Sequence, residues 1–64
     1  MKLKLIKYSL TTEEFEELPI FLLYHGIKDP VELLSIDTET LSQKKGWNAI
    51  VASGVGKIKA FPHS

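Results

Sequence analysis

From Leu18 to Ile36 the chain reads Leu-Pro-Ile-Phe-Leu-Leu-Tyr-His-Gly-Ile-Lys-Asp-Pro-Val-Glu-Leu-Leu-Ser-Ile, with Lys28, Asp29 and Glu32 its only formal charges. This is the apolar centre of the sequence, and Pro19, Gly26 and Pro30 divide it into pieces that cannot form one continuous helix without interruption. In 64 residues without a cysteine, such a stretch must supply most of the core, because no disulfide supplements burial. One domain spanning residues 1–64 is expected. The hydrophobic fraction of 44% and charged fraction of 25% fit a folded globular chain and not a disordered one.

The helix signals in the first two thirds are specific. Thr11 and Glu14 have the spacing of a capping box, and Glu13 and Glu14 fall where a helix dipole favours acids, so a helix starts at Thr12 with Phe15, Leu18 and Leu22 on its inner face. Pro19 predicts a kink or break. Ile20 to Tyr24 carries no polar residue and is expected to be buried nearly all round, with Gly26 as a left-handed cap and Ile27 folding back. Asp29-Pro30-Val31-Glu32 is a second start, with the proline at the first helical position. A further short helix is expected from about Thr38 to Lys45, with Leu41 inward and Gly46 as its stop.

The two ends read as strand. Lys2-Leu3-Lys4-Leu5-Ile6-Lys7-Tyr8 has the period of a half-buried strand, with Leu3 and Leu5 inward. Trp47 to Ala52 is β-leaning, Ser53-Gly54 is a turn signal, and Val55 to Phe61 alternates again. The expected fold is therefore α+β: a three-stranded antiparallel sheet of the N-terminal strand and a C-terminal hairpin, packed on two to four short helices in the order β-helices-β-β. The alternative is an all-α helix-hairpin-helix arrangement.

Formal net charge is zero but segregated. Residues 11–41 hold eight acids against Lys28, a balance of minus seven, while the two ends hold seven lysines and no acid. Converging ends would create a basic face opposite an acidic one. There is no arginine, so bidentate reading of guanine or phosphate is absent.

Gly26-Ile27-Lys28-Asp29-Pro30-Val31-Glu32-Leu33-Leu34-Ser35-Ile36, followed by Asp37-Thr38-Glu39-Thr40-Leu41 and Lys45-Gly46-Trp47, resembles the helix-hairpin-helix-like domains of the bacterial RNA polymerase alpha C-terminal and recombinase N-terminal type. The resemblance covers just over half the chain. Asn48 stands where the alpha-subunit pattern has its second glycine, and Gly54-Val55-Gly56-Lys57 looks like a glycine hairpin. The resemblance implies binding of DNA backbone through amides near Gly54 and Gly56, with Lys44, Lys45, Lys57 and Lys59 as the accompanying cations.

Catalytic signatures fail on inspection. A Walker A loop needs a glycine at Val51 and a Ser or Thr at Ile58, and a dinucleotide fingerprint needs a glycine at Lys59. There is no Gly-x-Ser-x-Gly elbow, and His25 and His63 lack metal-ligand spacing. No enzyme activity, cofactor, metal or small-molecule ligand is expected. No segment is long and apolar enough to span a membrane or to form a leader's hydrophobic region, so the expectation is a cytoplasmic protein made at its final length.

The expected function is that of a small non-enzymatic interaction or regulatory protein, an adaptor or inhibitor, binding a protein partner or itself through Lys2, Lys4, Lys57, Lys59, Trp47, Glu13, Glu14 and Glu17. The alternative is a nucleic-acid-binding module that contacts phosphates through a lysine-lined sheet face or the glycine hairpin, with Trp47 or Tyr8 stacking on bases.

Overall fold

The computed structural model describes residues 5–62. They form a 3₁₀ turn at Ile6–Tyr8, helix α1 at Thr12–Tyr24, a 3₁₀ helix at Pro30–Ser35, helix α2 at Thr38–Ser42 and helix α3 at Ala49–Ala60. Among the described residues there is no strand, so the three-stranded sheet is overturned in favour of the all-helical alternative. Leu5 is buried as the alternation requires, but Ile6 to Tyr8 is helical, and Leu3 lies outside the described residues.

The C-terminal hairpin is replaced by α3, and the reason is local as well as tertiary. Asn48 is extended, at φ −151°, and its side-chain oxygen accepts the Val51 amide at 2.9 Å, which makes it an N-cap. From that cap Val51, Val55 and Ile58 recur at helical spacing, and all three are buried. The Val55–Phe61 alternation is equally present in the sequence. It loses because a helix in this phase puts one apolar stripe against α1, whereas a hairpin would need a third strand to protect it.

Gly54 lies on that stripe and sets how close α1 and α3 approach. A methyl group there would stand 2.9 Å from Leu18 Cγ and nearer still to Leu18 Cδ1. Gly56, two residues on, has no neighbour within 4 Å of the same position. Glycine in an exposed helix interior costs about 1 kcal/mol relative to alanine, so Gly56→Ala is expected to stabilise the protein by about 0.5–1 kcal/mol. A rise in the urea midpoint without a change in slope is the result that checks it.

Helix α1 begins as expected. Thr11 Oγ1 accepts the Glu14 amide at 3.2 Å, and Glu14 Oε1 accepts the Thr11 amide at 2.8 Å, closing a capping box. Replacement of the hydroxyl by Thr11→Ala should cost about 1 kcal/mol, measured by chemical denaturation. Pro19 does not break the helix, which runs on to Tyr24. An interior proline disfavours a helix by about 3 kcal/mol. Burial of Leu18, Phe21 and Leu22 on either side of it outweighs that cost.

Two expectations about the faces of α1 fail. Phe15 is 38% exposed and not inward, while Ile20, Leu23 and Tyr24 are exposed to 69%, 43% and 67%. The inner face instead uses Glu14, Leu18, Phe21 and Leu22. With Glu14 at the start of that stripe, the helical phase turns Phe15, Ile20 and Tyr24 toward the flanks and outward.

The helix ends in a Schellman motif. Gly26 has φ +75°, its amide bonds the Leu23 carbonyl at 3.1 Å, and the Ile27 amide bonds the Leu22 carbonyl at 2.8 Å. Asp29 then caps the next piece through the Val31 amide at 3.0 Å, with Pro30 following. This piece is 3₁₀ in form, so residues three apart align: Pro30 and Leu33 face inward and Val31 and Leu34 outward. Helix α2 stops at Ser42, earlier than its lysines predicted, and a turn continues to Gly46 at φ +95°. Leu41 is fully buried.

Candidate interaction surface

Lys57 and Lys59, expected side by side on an open sheet face, stand on opposite sides of α3 because residues two apart on a helix do not share a face. Each amine has an intramolecular partner. Lys57 Nζ lies 2.8 Å from Glu14 Oε1, and Lys59 Nζ donates to the Ile36 carbonyl and, at 3.0 Å, to Thr38 Oγ1. Lys59 thus ties the last turn of α3 to the segment between the 3₁₀ helix and α2. Lys2 and Lys4 lie outside the described residues.

Glu14 is only 3% exposed. The Lys57 ammonium, the Ser53 hydroxyl and the Thr11 amide, in that order, hold its carboxyl down at about 2, against the opposing effect of burial. It is therefore part of the interior, whereas Glu13 is exposed and Glu17 half-buried on the solvent side of α1. Trp47 is half-buried with its ring edge-on to Phe21 at 5.8 Å, and Tyr8 is buried against Phe61 at 5.0 Å. Gly54 and Gly56 lie inside α3, and the left-handed glycine of the turn between α2 and α3 is Gly46, beside half-buried Lys44 and exposed Lys45.

A different set of side chains comes together on the surface. Glu17, Ile20, Phe21 and Tyr24 of α1 face Lys45, Gly46 and Asn48 across a groove of about 370 Å³. Its shape follows from the end of α1. His25 Nε2 is 2.7 Å from the Lys45 carbonyl oxygen, which pins the turn against the helix, and the Phe21 ring lies tilted against the His25 ring with centroids 4.6 Å apart. Phe21 also comes within 3.5 Å of where a Gly46 side chain would begin, so the floor of the groove is close-packed. A second depression of about 270 Å³ lies between the N-cap Thr11 with Glu13 and Glu14 of α1 and Ala49, Ile50 and Ser53 of α3.

Both depressions follow one seam. Glu13, Glu17, Ile20 and Tyr24 recur at spacings of four, three and four, which is a single helical stripe about 16 Å long. The stripe is acidic over its first half and apolar over its second. Helix α1 carries four acids and no base, and Glu14–Lys57 is the only ion pair among the described residues, so Glu13, Glu16 and Glu17 are left uncompensated by any contact there.

No family model, curated protein or solved structure matches the chain. The chemistry of the surface therefore rests on its own side chains. His25 is the described histidine, and its ring nitrogen is engaged by a backbone carbonyl. Among the described residues no three metal-ligating side chains converge, and no helix is long and apolar enough to cross a membrane. What the seam offers is shape, exposed apolar area and negative charge.

Ile20 and Tyr24 were missed because Pro19 to Tyr24 contains no polar residue to mark the outer face. The signal that finds them lies upstream. Carrying the phase of Glu13 and Glu17 forward through Pro19 as though the helix were unbroken leads to Ile20 and Tyr24.

Proposed function

We propose that the protein is a small non-enzymatic interaction module that binds a protein partner through the solvent face of α1. The observation that carries this reading is the exposure of Ile20 and Tyr24, at 69% and 67%, beside a groove floored by Phe21. In a chain this short, with few large apolar residues to spare from the core, leaving these two in water costs burial that other rotations of the helix would recover. An aromatic and an aliphatic residue at the edge of a preformed groove have the composition of an interface centre, and the acids of α1 form its polar margin. An adaptor or inhibitor role follows from binding without chemistry.

The test uses exposed positions outside the core. Ile20→Ser combined with Tyr24→Ser is expected to leave the urea midpoint nearly unchanged and to abolish recovery of the proteins retained by the unaltered chain in a pull-down. Equal recovery by both forms would reject the reading.

A second reading, nucleic-acid binding, is favoured by one observation. The turn holding Lys44, Lys45 and Gly46 joins two helices and opens onto the N-terminus of α3, in keeping with the helix-hairpin-helix resemblance. Under that reading a DNA duplex shifts in a gel at low salt, the shift weakens as salt rises, and Lys44→Glu with Lys45→Glu removes it. No shift at low salt disposes of it.

A further inference from the structure

We infer that the seam between α1 and α3 accepts a cationic amphipathic segment of the protein partner, with an apolar side chain seated at Ile20, Phe21 and Tyr24 and a lysine or arginine about two helical turns away against Glu13 and Glu17. This deepens the interaction reading and rests on it.

Three observations on the seam agree. The two depressions lie along one side of α1, so a single elongated ligand can occupy both, and a compact one cannot. The stripe changes from acidic to apolar along its length, and Glu13 to Ile20 spans about 10 Å, two turns of a helix. The acids of the stripe form no ion pair among the described residues, and the lysines of α3 are already engaged, Lys57 by Glu14 at the edge of the second depression and Lys59 by Ile36 and Thr38. A helix laid in such a groove is read through apolar anchors at i and i+3 or i+4, with a base near i+7 meeting the acids.

Lys45 fixes the direction. It lines the groove, its backbone is held at the Tyr24 end of α1 by the His25 contact, and its charge disfavours a like charge there. The basic end of the segment therefore points toward the start of α1, and its apolar end toward the Gly46 turn. Charge complementarity of this kind governs association rate and selectivity more than total affinity, so the expected signature is a preference between ligands of equal hydrophobicity.

The probes are two synthetic amphipathic helical peptides of identical apolar pattern, one with lysines seven residues from its leucine pair and the other with glutamates at the same places. Binding is followed by Trp47 fluorescence, since that ring packs on Phe21, and by backbone amide shifts. The lysine peptide is expected to bind at least about tenfold more tightly than its glutamate twin at low salt, with shifts at Glu17, Ile20, Tyr24, Asn48 and Ser53. Glu13→Gln with Glu17→Gln, which preserves shape, should erase the preference while leaving the protein folded by circular dichroism.

Equal binding of the twins, preference for the glutamate peptide, absence of binding by the lysine peptide, or shifts that map away from the seam would each overturn the inference. So would a concentration-dependent dimer abolished by Tyr24→Ser, which would make a second copy the occupant. If the pull-down loses its partners with the Ile20 and Tyr24 double variant while the lysine peptide fails to bind, the interaction reading stands and this inference alone falls.

Discussion

Replacing Gly54 by valine is expected to abolish the native fold at ordinary temperature. The first added carbon stands 2.9 Å from Leu18 Cγ and nearer still to Leu18 Cδ1, so the clash reaches past the tip of a fully buried side chain to its branch point. Leu18 cannot swing away without displacing the core residues packed around it, and close-packed interiors do not yield by that amount. Overpacking of this kind costs about 1–3 kcal/mol for one added group and more for a branched one. A domain of this size has a total stability of only about 3–10 kcal/mol.

Gly54→Ala separates the two components of the effect. Alanine improves helix propensity by about 1 kcal/mol and adds the clash, so its net effect is a loss, read as a fall in melting temperature of several degrees. Gly56→Ala has the propensity gain alone. Opposite signs at two glycines on one helix are a direct check on the spacing of α1 and α3, and a stabilising Gly54→Ala would show that the helices do not approach as described.

Lys57→Met should destabilise the protein by about 2–4 kcal/mol, more than Glu14→Gln does. The asymmetry arises from burial. The Glu14 side chain is 4% exposed and the Lys57 side chain 39%, so removing the lysine strands a carboxylate in the interior, whereas removing the carboxylate leaves an ammonium that water still reaches. Methionine retains the length and apolar stem of lysine, which limits the packing loss.

The same pair sets an acid limit on stability. The Glu14 carboxyl lies at about 2 in the folded protein, below the ordinary value of 4.5. A group whose folded value is depressed stabilises the fold above its unfolded value and loses that contribution as pH falls toward the folded one. Unfolding midpoints should therefore drop between about pH 4.5 and pH 2, and the part of that drop due to Glu14 should vanish in Glu14→Gln. An unchanged acid profile in that variant would remove Glu14 from the account.

Much of the first 46 residues was legible because its signals are short-range. A capping box, a glycine at a left-handed stop, and an aspartate followed by proline each satisfy backbone groups within a few residues, and Thr11, Gly26 and Asp29 act in the structure as their types and spacing imply, whereas Gly46 is left-handed but lies beyond the end of its helix. The last third was misread because its apolar residues fit two periods at once. Val51, Val55 and Ile58 serve a helix, while Val55 to Phe61 also alternates, and the β preference of valine and isoleucine is weak enough for packing to override. The one local clue to the helix was Asn48, an N-cap standing before it.

The candidate surface was half legible. Glu13 and Glu17 were marked by their charge, but Ile20 and Tyr24 were hidden in an apolar run that composition alone assigns to the core. Lysines expected to form a common face were separated by the helical period and drawn into contacts with Glu14 and with the Ile36 carbonyl.

The sequence by itself determined where the helical pieces at Thr12, Pro30 and Thr38 begin and that the first stops before Gly26, that the chain must build a core without cross-links, and that its charges are segregated along its length. Only the tertiary structure decided that residues 49–60 are helical, that Glu14 goes inside with Lys57 as its counter-ion, and that Ile20 and Tyr24 stay in water. The division has one physical cause. Caps and turns are satisfied by neighbours in sequence, whereas the face a helix buries depends on how closely a partner approaches, and here that distance is set by Gly54 against Leu18, 36 residues apart in the chain.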